Sequence, residues 1–227
     1  MHAPAPGIPV ICIDGPTASG KGTLAAKVAG ALGYHLLDSG ALYRITALAA
    51  MRTSLPLDAT GEAAIANLAQ SLQITFQGDQ VLLAGDNITE AIRTEEVGMN
   101  ASKVAALPQV RLALVDLQHS FRRLPGLVAD GRDMGSVIFP DAPLKVFLTA
   151  SADQRAQRRF KQLISKGNAA TLAALRADLE ARDARDTSRS TAPLKPTQDA
   201  RLLDNSDLSI QQAVDLVLSW WQSSQPF

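Results

Sequence analysis

A lysine inside a glycine-rich stretch opens the chemistry of this chain: Gly15-Pro16-Thr17-Ala18-Ser19-Gly20-Lys21-Gly22-Thr23. Glycines at this spacing let the backbone curl until several N–H groups face one anion. A helix starting at the same place adds the positive end of its dipole. The flanks suit that use. An apolar β-type run at 8–13 precedes the loop and a helix-like stretch at 24–32 follows it. Strand, glycine loop and helix is the context in which this spacing marks a phosphate cradle, with Lys21 reaching the β- and γ-phosphates of a nucleoside triphosphate. The residue after the lysine is Gly22, where the commoner loop carries a hydroxyl for the metal, and the hydroxyl comes one place later at Thr23. Mg²⁺ is therefore expected to be held mainly by phosphates and water, and no protein metal ligand is assigned.

Three further stretches carry charge where a ligand could use it. Asp38-Ser39-Gly40-Ala41-Leu42-Tyr43-Arg44 predicts a helix running through Met51, capped by Asp38 or Ser39. Ser39 and Tyr43 share a face of it, and Arg44 offers a forked guanidinium suited to a second phosphate. Residues 127–135 predict a short buried parallel strand ending in Asp130-Gly131-Arg132-Asp133-Met134-Gly135. Its charges begin at the carboxyl end, where open α/β sheets bind ligands. Residues 153–189 hold nine basic and five acidic side chains. Arg155, Arg158 and Arg159 fall on one face of a helix predicted to end near Gly167, a cluster suited to neutralising charge during phosphoryl transfer. In the next helix the apolar stripe Leu172, Leu175, Leu179 continues in phase into Arg182, Asp186 and Arg189, with Arg185 on its border. Charges on a core-facing azimuth require partners.

The elements that must position these groups follow from periodicity. Strand and helix patterns alternate, which predicts an α/β fold with a parallel central sheet flanked by helices. Inside that alternation lies a helix with the stripe Ile65, Leu68, Leu72. It is followed by a hairpin of 73–76 with 81–84 joined at Gly78-Asp79, and by an extended piece near Asn87-Ile88. A helix beginning at 93–97 and lasting to about Ala105 closes the block. A small β-meander in such a chain reads as an inserted subdomain, placed at 60–105 within a single domain of 1–227. Pro108 is predicted to begin a long helix to Arg123, with Val110, Leu114 and Leu117 inward. Strands at 144–148 and 201–204 and a terminal helix with the stripe Ile210, Val214, Val217, Trp221 complete the pattern.

Bulk properties bound the rest. The 227 residues are 46% hydrophobic and 19% charged, enough for a core and too apolar for a disordered chain. Twenty-two basic and twenty-two acidic residues cancel, which argues against a nucleic-acid polymer or an anionic membrane as main partner. The only cysteine, Cys12, falls in an apolar strand and reads as a core residue in a reducing compartment. The first dozen residues carry three prolines and no basic n-region, so no signal peptide is expected, and no apolar run reaches the length of a membrane span. A soluble, cytoplasmic monomer is the expectation.

Taken in order, the motifs at 15–23, 38–44 and 130–135, with Arg-Asp-x-Arg-Asp-x-x-Arg-x-x-Ala-Pro-Leu at 182–194, resemble the bacterial cytidylate (CMP) kinases over nearly the whole chain. The Gly-Lys-Gly-Thr ending of the loop is itself similar to nucleoside monophosphate kinases. The resemblance implies transfer of the γ-phosphoryl group of ATP to CMP or dCMP. It implies that Gly15 to Thr23 hold ATP, with Lys21 the main charge, and that Arg44, Arg132 and Arg182 hold the CMP phosphate. It assigns Ser39, Arg111, Asp133 and Arg189 to the cytosine, Tyr43 to the shape of that pocket, and Ser102, Asp186 and again Arg182 to the ribose. Arg158 and Arg185 act on the transferring group, with Arg159 an even alternative to Arg158. The meander matches a monophosphate-binding insert and 153–167 a mobile lid. No general base is assigned, because the acceptor is already an ionised phosphate. Two other classes share the loop: a shikimate-type kinase would not need Asp133 and Arg189, and a GTP switch would need an Asn-Lys pair, which this chain lacks.

Overall fold

β1 (Val10–Asp14) is buried along its whole length, as an apolar strand with neighbours on both edges requires. The computed structural model describes residues 7–78, 80–165, 167 and 169–224. Residues 1–6, part of the stretch read as carrying no leader, lie outside the described residues, as do Asp79 of the hairpin turn and Lys166 within 153–167. After β1 come α1 (Lys21–Leu32) and β2 (His35–Asp38). The described residues form two compact units, one spanning Asp38–Ser120 and the other drawn from 7–37 and 121–224.

The Asp38–Ser120 unit begins with α2 (Ser39–Arg52) and α3 (Glu62–Ser71). Asp38 is the cap of α2, its carboxylate accepting the Ala41 N–H at 3.0 Å. β3 (Ile74–Gln77), β4 (Gln80–Leu83) and β5 (Asp86–Asn87) form the expected antiparallel meander, with Ile74 opposite Leu83 and Leu82 opposite Asn87. A 3₁₀ turn at Ala91–Arg93 leads into α4 (Glu95–Val104). Thr94 caps α4 by accepting the Val97 N–H, and Glu95 and Glu96 complement the dipole of its first turn. Tyr43, Ile65, Val104, Val110 and Leu114 lie in one apolar cluster of this unit, and Ile45, Val81, Ile88 and Val97 in another.

The long helix expected from Pro108 to Arg123 is shorter and interrupted. It is α5 (Pro108–Ala113) and α6 (Val115–His119), with Leu114 between them. The Leu114 N–H divides between the carbonyls of Val110 and Arg111, both at 3.2 Å, so the turn tightens there. Val110 and Leu114 still point inward as their spacing predicts. Beyond Ser120, Arg122 leaves the helical path: its Nε donates to the Ile8 carbonyl at 2.9 Å and its Nη1 pairs with Asp141 at 2.8 Å. Pro125 then biases Leu124 away from helix.

The other unit resumes with β6 (Leu127–Gly131), a π-helical turn at Met134–Ile138 and β7 (Leu144–Thr149). Two helices follow, α7 (Ala152–Ser165) and α8 (Leu172–Ser188), then β8 (Arg201–Asp204) and α9 (Ile210–Ser224). The sheet order is β2-β6-β1-β7-β8, with β1 parallel to β6 and β7, and β7 parallel to β8. This is an α/β fold with a parallel central sheet. Ile11, Ile13, Val128 and Val146 pack with Leu24 and Val28 of α1 and with Val214, Val217 and Trp221 of α9. The stripe of α8 is buried at Leu175 and Leu179, whereas Leu172, the first residue of the helix, is exposed. The sheet geometry has a direct consequence for chemistry. The loop after β1 and the charged turn after β6 leave neighbouring parallel strands at the same carboxyl end, where Asp14 stands opposite Gly131.

Candidate active site

The loop at 15–23 is shaped by what a side chain would meet. A Cβ on Gly15 would collide with the carbonyl oxygen of Leu148, so only glycine lets the loop leave β1 at this angle. Gly20 caps α1 with φ 92°, again a conformation open to glycine. Ala18 also takes positive φ, at 60°. α1 starts on Lys21 itself, which is buried and donates to the Pro16 carbonyl at 3.1 Å. Its Nζ is 3.9 Å from Asp130 at the end of β6. A buried ammonium ringed by loop backbone at a helix N-terminus is the donor set a polyphosphate needs. Gly15, Pro16, Thr17, Ala18, Ser19, Gly20, Lys21, Gly22 and Thr23 thus form one continuous cradle in the fold as in the chain.

Arginines secure that cradle from outside. Arg158 of α7 donates to the Ser19 carbonyl at 2.9 Å and to the side-chain and backbone oxygens of Asn205, both at 2.7 Å. Asn205 in turn donates to the Ser19 carbonyl at 2.9 Å. Arg159, the even alternative, bonds Gln162 on its own helix at 3.2 Å, so Arg158 is the one joined to the loop. Arg155, almost fully buried, donates to the carbonyls of Thr17 and Ala150 and pairs with Asp183 of α8.

The turn after β6 faces the same loop. Arg132 donates through Nη2 to the Thr17 hydroxyl at 2.5 Å and through Nε to Asp186 at 3.0 Å. Arg189, just past the end of α8, has Nη1 4.0 Å from the other oxygen of Asp186 and donates through Nε to the Ala192 carbonyl at 2.6 Å. The charges that continue the apolar stripe of α8 therefore do meet partners, as burial demands. Arg182 is half-buried one turn before Asp186, and Arg185 is exposed beside it. Asp133 is buried, and its backbone carbonyl accepts from Val137. Behind it, both oxygens of Asp14 accept backbone N–H groups, Met134 at 2.8 Å and Gly135 at 2.9 Å. Burial pushes the Asp14 carboxyl up to about 7 against the pull of those two donors, and the carboxylates of Asp133 and Asp130 push the same way.

In the Asp38–Ser120 unit a second group assembles. Arg44 of α2 donates to the Ile92 carbonyl at 2.9 Å and to Thr94 at 3.5 Å. Its guanidinium lies against Gly98 of α4, where a Cβ would come within 2.9 Å of Nη1 and 3.0 Å of Nη2. Arg111 is buried, donates to the Ala105 carbonyl at 3.1 Å, and lies over the Tyr43 ring at 5.7 Å from its centroid. Ser39 is buried at the start of α2. Ser102, one helical turn beyond Gly98, has a buried hydroxyl oxygen with no hydrogen-bond partner among the described residues.

Four contributors were missed from sequence. Asp14 and Asn205 each end or follow a strand at the carboxyl edge of the sheet, so the rule used for 130–135 would have found them. Asp130 belongs to the 130–135 motif, but nothing in its type or spacing there points to Lys21. Gly98 had no signal, because the side chain it accommodates is 54 positions earlier in the chain.

The family model described as "Cytidylate kinase" matches residues 11–223. The cytidylate kinase of Cupriavidus necator is 58% identical over 217 residues, covering 96% of this chain and 97% of that protein. The cytidylate kinase of Bordetella bronchiseptica is 58% identical over 223 residues, covering 98% and 99%. The crystal structure of an uncharacterized protein from Eubacterium ventriosum has a similar fold, with a TM-score of 0.50, 12% identity and coverage of 95% of this chain and 99% of that one. A match across all four motifs, with more than half of all residues shared over nearly the full length, places this chain in the cytidylate kinase family.

Proposed function

We infer that this chain transfers the γ-phosphoryl group of ATP to CMP or dCMP, giving CDP or dCDP and ADP. The observation that carries the reading is the family match from residue 11 to 223, which spans every motif on which the chemistry depends. Phosphoryl transfer asks little covalent work of a protein; it asks for positioning and for positive charge around the equatorial oxygens. Gly15 to Thr23 hold the donor phosphates, with Lys21 the main charge. Arg132, Arg158, Arg182 and Arg185 neutralise charge on the transferring group. The contact of Arg158 with Ser19 supports its choice over Arg159.

For the acceptor, Arg44, Arg132 and Arg182 hold the phosphate of CMP. Ser39, Arg111, Asp133 and Arg189 read the cytosine, and Tyr43, flattened beneath Arg111, shapes the pocket wall. Ser102, Asp186 and Arg182 take the ribose; the unpartnered hydroxyl of Ser102 supports that role. Residues 60–105 form the monophosphate-binding insert, within the wider Asp38–Ser120 unit, and 153–167 form a lid. Mg²⁺, held mainly by the phosphates of the nucleotide and by water, would supply positive charge that offsets charge on the transferring phosphate. The buried ammonium and inward N–H groups of the loop suit such a metal–polyphosphate complex. A cytoplasmic monomer acting on small nucleotides, with no nucleic-acid polymer or membrane as partner, completes the reading. The balanced charge suits small nucleotides better than a nucleic-acid polymer as partner. Among the described residues no helix is long and apolar enough to cross a membrane.

Coupled measurement of ADP release with CMP, dCMP, UMP, AMP and shikimate as acceptors tests the proposal. CMP and dCMP should dominate. A better rate with AMP or shikimate would overturn it.

A further inference from the structure

Arg132 and Asp133 stand on a turn that has no regular structure of its own, between the last residue of β6 and the π-helical turn at Met134. Side chains that bind a phosphate and a base from such a turn must be fixed by something beneath it. We propose that Asp14 is a positioning residue for acceptor recognition: by accepting the Met134 and Gly135 N–H groups together, its carboxylate sets the turn so that Asp133 meets the base. The inference rests on the assignment of Asp133 to cytosine given above.

Three observations carry it. Asp14 ends β1 with no part in the phosphate loop, yet spends both carboxylate oxygens on the two peptide groups that follow Asp133. Gly135 is held from its other side as well. A Cβ there would come within 3.0 Å of the Lys145 stem, so the turn is clamped between the carboxylate and β7. Asp14 is also buried, and with both donors satisfied only the ionised form matches them. A protonated carboxyl, or an amide, turns a donor toward one of the two N–H groups and releases that end of the turn.

The position is poised for such a change. Asp133 and Asp130 face Asp14 with like charge, and burial adds to their effect. Lys21 beside Asp130, Lys145 of β7 with its partner Asp199, and the buried Cys12 thiol of β1 itself are other ionisable groups around it. With its carboxyl at about 7, Asp14 gains its proton between pH 8 and 6. The grip on the turn weakens over that interval.

The test is the ratio of kcat/KM for CMP to that for UMP, measured from pH 6 to pH 8 in the wild type and in Asp14→Asn. Taking a ratio cancels the ionisation common to both substrate phosphates. Losing one of the two hydrogen bonds is expected to lower the ratio about two- to tenfold. In the wild type the ratio should fall on acidification, and in Asp14→Asn it should be low and flat. A purely structural role would lower Tm and both substrates alike, leaving the ratio unmoved. An Asp14→Asn ratio equal to wild type at pH 8, or a wild-type ratio that ignores pH, overturns the inference. If the variant does not fold, the wild-type pH series alone decides. Asp133→Ala in the same assay separates the two levels. If it leaves the ratio unchanged, the reading of Asp133 has failed; if it collapses the ratio while Asp14→Asn and pH do not, only the role of Asp14 has failed.

Discussion

Substituting Gly98 by alanine should separate stability from activity. Gly98 lies inside α4, where glycine costs about 1 kcal/mol relative to alanine. Taken alone, the change should stabilise the helix. The new methyl, however, would stand 2.9 and 3.0 Å from the two terminal nitrogens of Arg44. The guanidinium is the movable partner, so it retreats and loses its 2.9 Å bond to the Ile92 carbonyl. That bond, involving a charged donor, contributes roughly 1.5–3 kcal/mol where it is well formed. The net change in stability should therefore fall within about 2 kcal/mol of zero. If Arg44 holds the acceptor phosphate as proposed, its displacement costs a similar ~1.5–3 kcal/mol in acceptor binding, roughly a ten- to hundredfold loss in kcat/KM. CMP and UMP share the phosphate and should suffer equally. The assay pairs a thermal melt with acceptor kinetics on both nucleotides and a binding titration with ATP, which should be unaffected. Normal acceptor kinetics in a folded Gly98→Ala protein would refute the link between this glycine and Arg44. A change in the CMP-to-UMP ratio would show that Arg44 does not act on the shared phosphate.

Other outcomes follow from the same contacts. Lys21→Met should abolish phosphoryl transfer while a calorimetric titration still finds CMP binding near wild type. Asn205→Ala removes one of the two Asn205 acceptors that restrain Arg158 and one donor to Ser19, so kcat should fall at least tenfold with KM for CMP little changed; an unchanged kcat would show that the contact is packing only. Asp133→Ala should reduce kcat/KM for CMP far more than for UMP, by roughly 2–4 kcal/mol, since an acceptor facing the cytosine amine repels a uracil carbonyl. Stability against pH has a defined sign at Asp14. A carboxyl raised from 3.8 to about 7 binds its proton more tightly in the folded state, so its stabilisation is full below about pH 4 and lost on rising through 7, on the order of 4 kcal/mol in all. Chemical denaturation of wild type minus Asp14→Asn should show that decline, and a difference that grows with pH would mean the carboxyl is not raised.

Much of the site was legible because its signals are local. The loop at 15–23 is read from glycine spacing between a strand and a helix, and all of those residues end in one place. The in-phase passage of α8 from leucines to charges foretold that Asp186 would be buried and paired, because a helix keeps its azimuth whatever surrounds it. What failed to show depends on distant partners. The helix after Pro108 ends early because Arg122 is drawn to Ile8 and Asp141, and nothing near Arg122 in the chain records that demand. The exposure of Leu172 was hidden for a similar reason: periodicity marks a face, not how far along the helix its cover extends. Asn205 escaped because a single amide after a short strand belongs to no charged motif, and only its place at the carboxyl edge of the sheet marks it.

Thr17 is gripped at two atoms by two arginines, Arg132 on its hydroxyl and Arg155 on its carbonyl. Those arginines are answered by Asp186 and Asp183, three residues apart on α8. The phosphate loop and that helix therefore share one tolerance. An engineer who recuts α8 to admit a different acceptor inherits an error at the donor loop, two bonds away, even where no new residue touches ATP. Drift along this helix is limited in the same way: a change at either aspartate must be met by its arginine before Thr17 can hold its place. On the proposed reading, acceptor preference is more freely retuned from side chains outside this relay, of which Asp133 is one.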